Sequence, residues 1–216
     1  GESFHTSRWD YNIDLAGKRV GIIGTGATAV QVVPEIAKTV GELYVFQRTP
    51  SSIDVRDQRA TTDEEYATWP TEENWAVKRR ERLALISAGR TALQGNDDFL
   101  SGKVTDFKKN RKQHNTELSP EELIQRQLNS NFRIMEQIRA RVDSIVEDPK
   151  PAAALKPYYP YGCKRPTFHD EYLPTFNLPH VHLVDTAPKG VELINERGIV
   201  HDGVEYPLDV LIYACL

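Results

Sequence analysis

A six-residue stretch, Gly24-Thr25-Gly26-Ala27-Thr28-Ala29, narrows what this chain can fold into more than any other. The apolar run RVGII (Arg19–Ile23) leads into it. An apolar periodicity of three to four residues, carried by Val30, Val33 and Ala37, leads out of it. The first run suits a buried parallel strand and the second a helix. The G-x-G-x-x-A pattern acquires its meaning from that position between strand and helix. Gly24 permits a tight turn, Gly26 lets backbone approach a pyrophosphate without a Cβ in the way, and Ala29 keeps the helix close to the sheet. The first helical turn, including Ala27 and Thr28, then offers free N–H groups and a positive dipole end to phosphates.

The next elements follow from the same pattern. The helix is expected over Ala27 to Val40, with Pro34 kinking it and Gly41 taking a left-handed turn at its end. Leu43 to Phe46 reads as the second strand. An NAD site carries Asp or Glu at the end of that strand, to bond the ribose 2′-hydroxyl. This chain has Gln47-Arg48-Thr49 there. A guanidinium holds a 2′-phosphate by paired charge-assisted bonds where a carboxylate would repel it, so the expected cofactor is NADP(H).

The remainder divides by texture. Residues 53–150 are charged and helical in period. Ser119-Pro120-Glu121-Glu122 places Ser at an N-cap, Pro at the first helical position and Glu where it reaches back to the cap. Ile124, Leu128, Phe132, Met135, Ile138, Val142 and Ile145 then form one apolar stripe, expected to stop at Asp148-Pro149. Thr62-Asp63-Glu64-Glu65 repeats the capping pattern. Trp75, Leu83 and Ile86 mark another amphipathic helix, and the run Lys78–Arg82 reads as its solvated face. Residues 151–216 carry short strands, with VHLVD, VELIN and IVHDG expected as a β-meander whose turns lie at Glu196–Gly198 and Asp202-Gly203. Leu208 to Ala214 is expected to return to the sheet of Val20. The fold class is α/β: a Rossmann-like NADP-binding domain (11–52 and 151–216) with a helical insertion (53–150) and a C-terminal β-meander, entered through a linker (1–10).

Bulk properties remove several classes of function. A net charge of −4 spread over 216 residues does not favour nucleic acid. No apolar run is long enough to span a bilayer, so no membrane partner is expected. Two cysteines, Cys163 and Cys215, make no disulfide framework, and the expected setting is the cytoplasm. Cys163 has no His arrangement for thiol catalysis. His180 and His182 lack further ligands at metal-binding spacing, and they and His169-Asp170-Glu171 read as structural.

The N-terminal residues add a resemblance. Gly1-x-x-x-His5-x-x-x-Trp9-Asp10 is followed by G-x-G-x-x-A, by FQRTP (Phe46–Pro50) and by YPYGCKRP (Tyr159–Pro166). In order and spacing the chain resembles the Baeyer–Villiger monooxygenases, whose fingerprint is F-x-G-x-x-x-H-x-x-x-W-P/D. The resemblance covers essentially the whole chain. It implies that His5, Trp9 and Asp10 belong to a linker coupling NADP-domain motion to catalysis. Gly24, Thr25, Gly26 and Gln31 would line the pyrophosphate and adjoining groups. Arg48 and Thr49 would hold the 2′-phosphate with Lys164 closing on it, and Arg165 would be the active-site arginine. It further implies FAD as second cofactor, and a ketone and O2 as substrates. NADPH reduces the flavin, and an oxygen atom enters beside the carbonyl to give an ester or lactone. A permanently cationic arginine suits stabilisation of developing anionic oxygen.

Two departures qualify that picture. Family members carry an FAD-binding glycine motif upstream of the fingerprint, whereas this chain has one G-x-G-x-x-A, the NADP-type one. Their strand ending in A-T-G is here LIYACL, with Cys215 in the place of Thr. Together with the absence of an initiator Met, this leads to the expectation of a segment of a longer enzyme, inactive alone, whose partner is the missing FAD-binding domain. The alternatives are a segment of an N- or S-oxygenating flavin monooxygenase, or a non-catalytic NADP-binding product.

Overall fold

The computed structural model describes residues 1–67, 73–87 and 119–215. Along the chain come β1 (Glu2–His5), a 3-10 turn (Thr6–Arg8), β2 (Arg19–Ile23), α1 (Ala27–Ile36), β3 (Glu42–Gln47) and β4 (Ile53–Asp54). Helices α2 (Asp63–Ala67), α3 (Trp75–Ser87), α4 (Pro120–Ile145) and α5 (Pro149–Leu155) follow. The remaining elements are β5 (Thr167–Phe168), α6 (Tyr172–Thr175), β6 (Val181–Asp185), β7 (Leu193–Asn195), β8 (Gly198–His201), β9 (Val204–Pro207) and β10 (Val210–Tyr213). The chain divides into two compact units, Gly1–Asp57 with Phe132–Leu216, and Gln58–Asn131.

The first unit is built on a five-stranded sheet in the order β1-β10-β2-β3-β6, with every pair parallel. Its register sorts side chains into rows. Val210, Val20, Leu43 and Val181 stand in one row, and Ile212, Ile22, Val45 and Leu183 in the next on the same face. These rows pack with Ala29, Val30 and Val33 of α1, Val142 of α4, Leu155 of α5 and Leu173 of α6 in one core. The alternate residues Tyr213, Ile23, Phe46 and Val184 face the other way. They join a second cluster completed by Ile199, Leu208 and Tyr206. Near-continuous apolar strands are what a parallel sheet covered on both faces requires. The second cover is the antiparallel sheet β7-β8-β9, whose β8–β9 turn places Asp202 and Gly203 at positive φ.

Several sequence expectations are corrected here. VHLVD (β6) does not join the antiparallel sheet but pairs parallel with β3 at the edge of the main sheet. Val181 and Val184 contribute to the two opposite clusters, a two-sided burial that suits the main sheet. The third antiparallel strand is β9, Val204–Pro207, in the place expected for VHLVD. Within the stretch 1–10 read as a linker, Glu2–His5 form a strand, β1, beside β10. Gly41 is not at positive φ; it is small because a Cβ there would lie 2.4 Å from the Gly17 carbonyl oxygen. The regular helix stops at Ile36 rather than Val40. Past Pro34 the chain tightens into three-residue bonds, Lys38 N–H to Glu35 O and Thr39 N–H to Ile36 O.

Asp148-Pro149 begins a helix rather than ending one. Asp148 accepts the Lys150 N–H at 2.9 Å, and Pro149 takes the first helical position. Helix α4 ends at Ile145 because Asn177 Nδ2 donates to the Ile145 carbonyl at 2.7 Å. The Ser119 capping box is present: Ser119 N–H donates to Glu122 Oε2 at 2.7 Å, and Glu122 N–H to Ser119 Oγ at 3.3 Å. The stripe on α4 is buried only in its second half, at Met135, Ile138 and Val142, while Ile124, Leu128 and Phe132 are exposed. Within 53–150, residues 68–72 and 88–118 and the Glu65 and Ile86 side chains lie outside the described residues.

At the start of β10, Asp209 is tied to the start of β2. Its Oδ2 accepts from Arg19 N–H (2.8 Å) and Nε–H (3.1 Å), and its Oδ1 from Arg19 Nη2–H (2.7 Å). These bonds hold the Asp209 carboxyl down to about 2. The stabilisation is therefore complete above the unfolded carboxyl value and is lost as pH falls towards 2. Because both side chains are partly exposed, Asp209→Asn is expected to cost only about 1 kcal/mol at neutral pH. Urea unfolding followed from pH 7 downwards should show the gap to wild type closing between about pH 4 and pH 2.

Candidate cofactor-binding site

The glycine turn closes the C-terminal end of β2, where the sheet meets α1. Gly24 has φ 116°, and a Cβ there would stand 2.8 Å from the Ala214 carbonyl oxygen. Its N–H donates to Phe46 O at 3.1 Å, so the turn is fixed to β3 and pressed against the chain leaving β10. Gly26 is different. It is the N-cap of α1, its φ is ordinary, no side chain caps the helix, and nothing lies within 4 Å of where a Cβ would be. No protein packing needs that position empty. Ala29 is fully buried against the sheet. The turn thus presents an open cradle at an uncapped helix N-terminus, with the first-turn N–H groups of Ala27 and Thr28 beside it. That arrangement fits a dinucleotide pyrophosphate.

A hydroxyl lattice ties this turn to the loop after β3. Thr25 is buried and its Oγ1–H donates to Thr49 O at 2.7 Å, while Ser51 Oγ–H donates back to Thr25 O. The Thr25 side chain is therefore spent on the loop. Gln47 is buried, with Nε2 donating to Ala154 O at 2.8 Å and Thr186 N–H donating to its carbonyl at 2.7 Å. Arg48 is the next residue, exposed and without an ion pair among the described residues; its stem passes the place where a Gly190 Cβ would be, 3.6 Å from Cδ. The Gln31 amide donates to Ala27 O at 2.8 Å on the exposed side of α1.

The segment carrying Lys164 reaches the same loop through Tyr159. Tyr159 Oη–H donates to Pro50 O at 2.9 Å and accepts Ser52 N–H at 3.1 Å. Burial pushes its phenol above the ordinary value, which keeps the proton needed for that donation. Beyond it, β4 and β5 pair, and Ser52 O accepts both Thr167 N–H (3.0 Å) and Oγ1–H (2.8 Å). Lys164 Nζ lies 5.2 Å from the Tyr159 ring centroid. Arg165 is exposed and has no hydrogen bond or ion pair among the described residues.

The N-terminal motif splits. His5 Nδ1 accepts the Ser7 N–H (3.1 Å), so the ring proton lies on Nε2, which donates to Cys215 O at 2.7 Å. His5 thus holds the strand exit that crowds Gly24. Trp9 packs edge-on against Phe4 with centroids 4.9 Å apart, and Asp10 Oδ1 accepts the Asn12 N–H at 3.0 Å. His180 and His182 serve the fold, bonding Ala37 O (2.9 Å) and Glu42 Oε2 (2.6 Å). No group of three or more His, Cys, Asp or Glu among the described residues could hold a metal, and no described helix is long and apolar enough to cross a membrane.

Sequence reasoning missed Ser51 and Tyr159. Ser51 had a faint signal, a hydroxyl two residues beyond Thr49. Tyr159 opens the YPYGCKRP motif, but nothing local marks its role, because its partners on the loop lie 107 and 109 residues away.

Comparison with known proteins places this geometry. No family model matches the chain. The chain is 45% identical over 238 residues to Baeyer-Villiger monooxygenase ATR8 of Stachybotrys chlorohalonatus, an alignment covering 99% of this chain and 36% of the relative. It is 45% identical to polycyclic ketone monooxygenase of Thermothelomyces thermophilus, over 98% of this chain and 35% of the relative. The solved structure of a polycyclic ketone monooxygenase from that fungus superposes with a TM-score of 0.81, covering 99% of this chain and 37% of the other. OTEMO in complex with FAD and NADP superposes with a TM-score of 0.69 at 30% identity, covering 99% of this chain and 42% of the other. Fold and sequence are thus similar to those of flavin-dependent monooxygenases. Within that class the chain is similar over nearly its whole length to Baeyer–Villiger monooxygenases, and it spans about a third of the length of the curated relatives it matches.

The two glycines separate fold from binding. Gly24→Ala should destabilise the protein by roughly 2–3 kcal/mol, from positive φ plus the carbonyl clash. Gly26→Ala should leave the melting temperature within about 2 °C, since its Cβ meets only open space. It should nevertheless weaken dinucleotide binding by about tenfold, a difference of about 1.4 kcal/mol. Thermal melts and cofactor titration of both variants check this.

Proposed function

We propose that this chain is the NADPH-binding portion of an FAD-dependent monooxygenase that inserts oxygen next to a ketone carbonyl, giving an ester or lactone. The observation that carries the proposal is the pairing of an open, Cβ-free cradle at the α1 N-terminus with an uncommitted Arg48 at the end of β3. On this reading 11–52 and 151–216 form a Rossmann-like NADP-binding domain, 53–150 a helical insertion and 1–10 the coupling linker, working in the cytoplasm with an FAD-binding domain as partner.

The division of labour follows from the residues. The N–H groups of Gly26, Ala27 and Thr28 hold the pyrophosphate, with Ala29 setting how closely α1 approaches. Thr25 fixes the turn, and Gln31 lies one helical turn on, towards the adjoining groups. Arg48 grips the 2′-phosphate in bidentate fashion, and Thr49 and Lys164 complete that anion site. When bound, NADPH supplies the hydride that reduces the flavin. Arg165 acts towards the flavin and the ketone, where its fixed positive charge stabilises anionic oxygen. His5 holds the strand exit behind the turn, and Trp9 and Asp10 stiffen the linker that follows.

The test is made on the longer parent chain. Purified protein should carry FAD and convert a cyclic ketone to its lactone with NADPH consumption. Absence of flavin, or heteroatom oxides with no ester from any ketone, would remove the proposed chemistry. Arg48→Ala should weaken NADPH by about 10–100-fold while changing NADH by less than about threefold, as expected for loss of a charge-assisted bidentate contact. Equal losses for the two cofactors would refute the assignment of Arg48 to the 2′-phosphate.

A further inference from the structure

We infer that Tyr159 is a positioning residue that sets the preference for NADPH over NADH, by holding Lys164 and the loop after Arg48 in a single arrangement. The inference rests on the NADPH reading above and assigns the selectivity of that site to a residue that does not itself meet the phosphate.

Both functions of the Tyr159 hydroxyl are used inside the protein. It donates to Pro50 O and accepts from Ser52 N–H, so it spans two peptides of the loop like a staple. The rest of that loop is bonded equally fully. Thr49 O accepts from Thr25, Ser51 Oγ–H donates to Thr25 O, and Ser52 O accepts twice from Thr167. From Thr49 to Ser52, each residue is held by a group outside the loop. Thr25 brings the pyrophosphate turn to one end, and Thr167 brings the strand beyond Lys164 to the other. Tyr159 is the tie between them. Its ring is also the surface on which the Lys164 ammonium rests, 5.2 Å from the centroid.

A flexible lysine on an exposed loop loses much of its value as an anion ligand to conformational freedom. A ring beneath it restricts that freedom without neutralising the charge. Tyr159 therefore acts on two cations at once: on Arg48 through the loop backbone and on Lys164 through the ring. NADPH and NADH differ only in the 2′-phosphate, so a defect in placing these cations changes the ratio of the two affinities. A defect in folding changes both alike.

The experiment measures dissociation constants of NADPH and NADH by anaerobic titration calorimetry of the full-length protein with its flavin already reduced, so that binding is read without hydride transfer. The variants are Tyr159→Phe, Tyr159→Leu, Lys164→Ala and Tyr159→Leu/Lys164→Ala, with Arg48→Ala as reference and melting temperatures recorded for each. Tyr159→Phe removes the staple but keeps the ring, and should weaken NADPH by about three- to tenfold with NADH changed less than about twofold. Tyr159→Leu should weaken NADPH further. The extra loss from Phe to Leu should vanish when Lys164 is already Ala, as coupling through the ring requires. If the Tyr159 variants lower both affinities in parallel, or lower the melting temperature with the ratio unchanged, Tyr159 is structural only and the inference fails. If Arg48→Ala itself leaves the ratio unchanged, the underlying 2′-phosphate reading fails, and the inference falls with it.

Discussion

The insertion of β10 between β1 and β2 is the constraint on which the rest depends. Glu2 pairs with Val210 on one side of it, and Val210 pairs with Val20 on the other. The Arg19–Asp209 bonds pin this strand at its start. At its far end, Ala214 O lies 2.8 Å from where a Gly24 Cβ would be and Cys215 O accepts from His5. Strand pairing, turn geometry and the placing of the N-terminal histidine are one arrangement with one cause. Without β10, β1 has no pairing partner and the turn loses the wall behind Gly24.

Local chemistry with a short reach was legible in the sequence. The strand–turn–helix unit, the strand over Leu43 to Phe46 and the Ser119 capping box depend on residues within a few positions of one another, and they appear where the pattern put them. The return of Leu208 to Ala214 to the sheet of Val20 was also readable, because an all-apolar run needs cover on both faces. What escaped was the choice between equally local alternatives. VHLVD is a strand in either sheet, and long-range packing sends it to β3. Asp148-Pro149 is equally good as a stop or a start. The capping geometry of Asp148 decides for the start, and Asn177, far along the chain, terminates α4.

The site shows the same division. Glycines and the position of Arg48 were visible because they follow from backbone geometry at the ends of adjacent strands. The hydroxyl lattice was not, because Thr25, Ser51, Tyr159 and Thr167 are ordinary residues until the fold sets them around one loop. Thr25 illustrates the shift in meaning. From sequence it is a residue of the binding motif, whereas its side chain joins that motif to its neighbour. The lattice uses neutral donors and acceptors around the loop that follows Arg48. No carboxylate stands among the described contacts of Arg48 and Lys164, so neither charge is neutralised there.

The place of β10 also sets a clock on how the protein is made. Strand β1 is synthesised well before its pairing partner, which emerges only when residues 210–213 are translated. At roughly 5–20 residues per second, the interval is on the order of 10–40 s. During that time β2, β3 and β6 can pair, while β1 presents an unpaired edge and Gly24 has no wall behind it. The nascent sheet therefore grows from its middle outward, and the wall behind the glycine turn is completed by the last of the sheet's five strands to emerge.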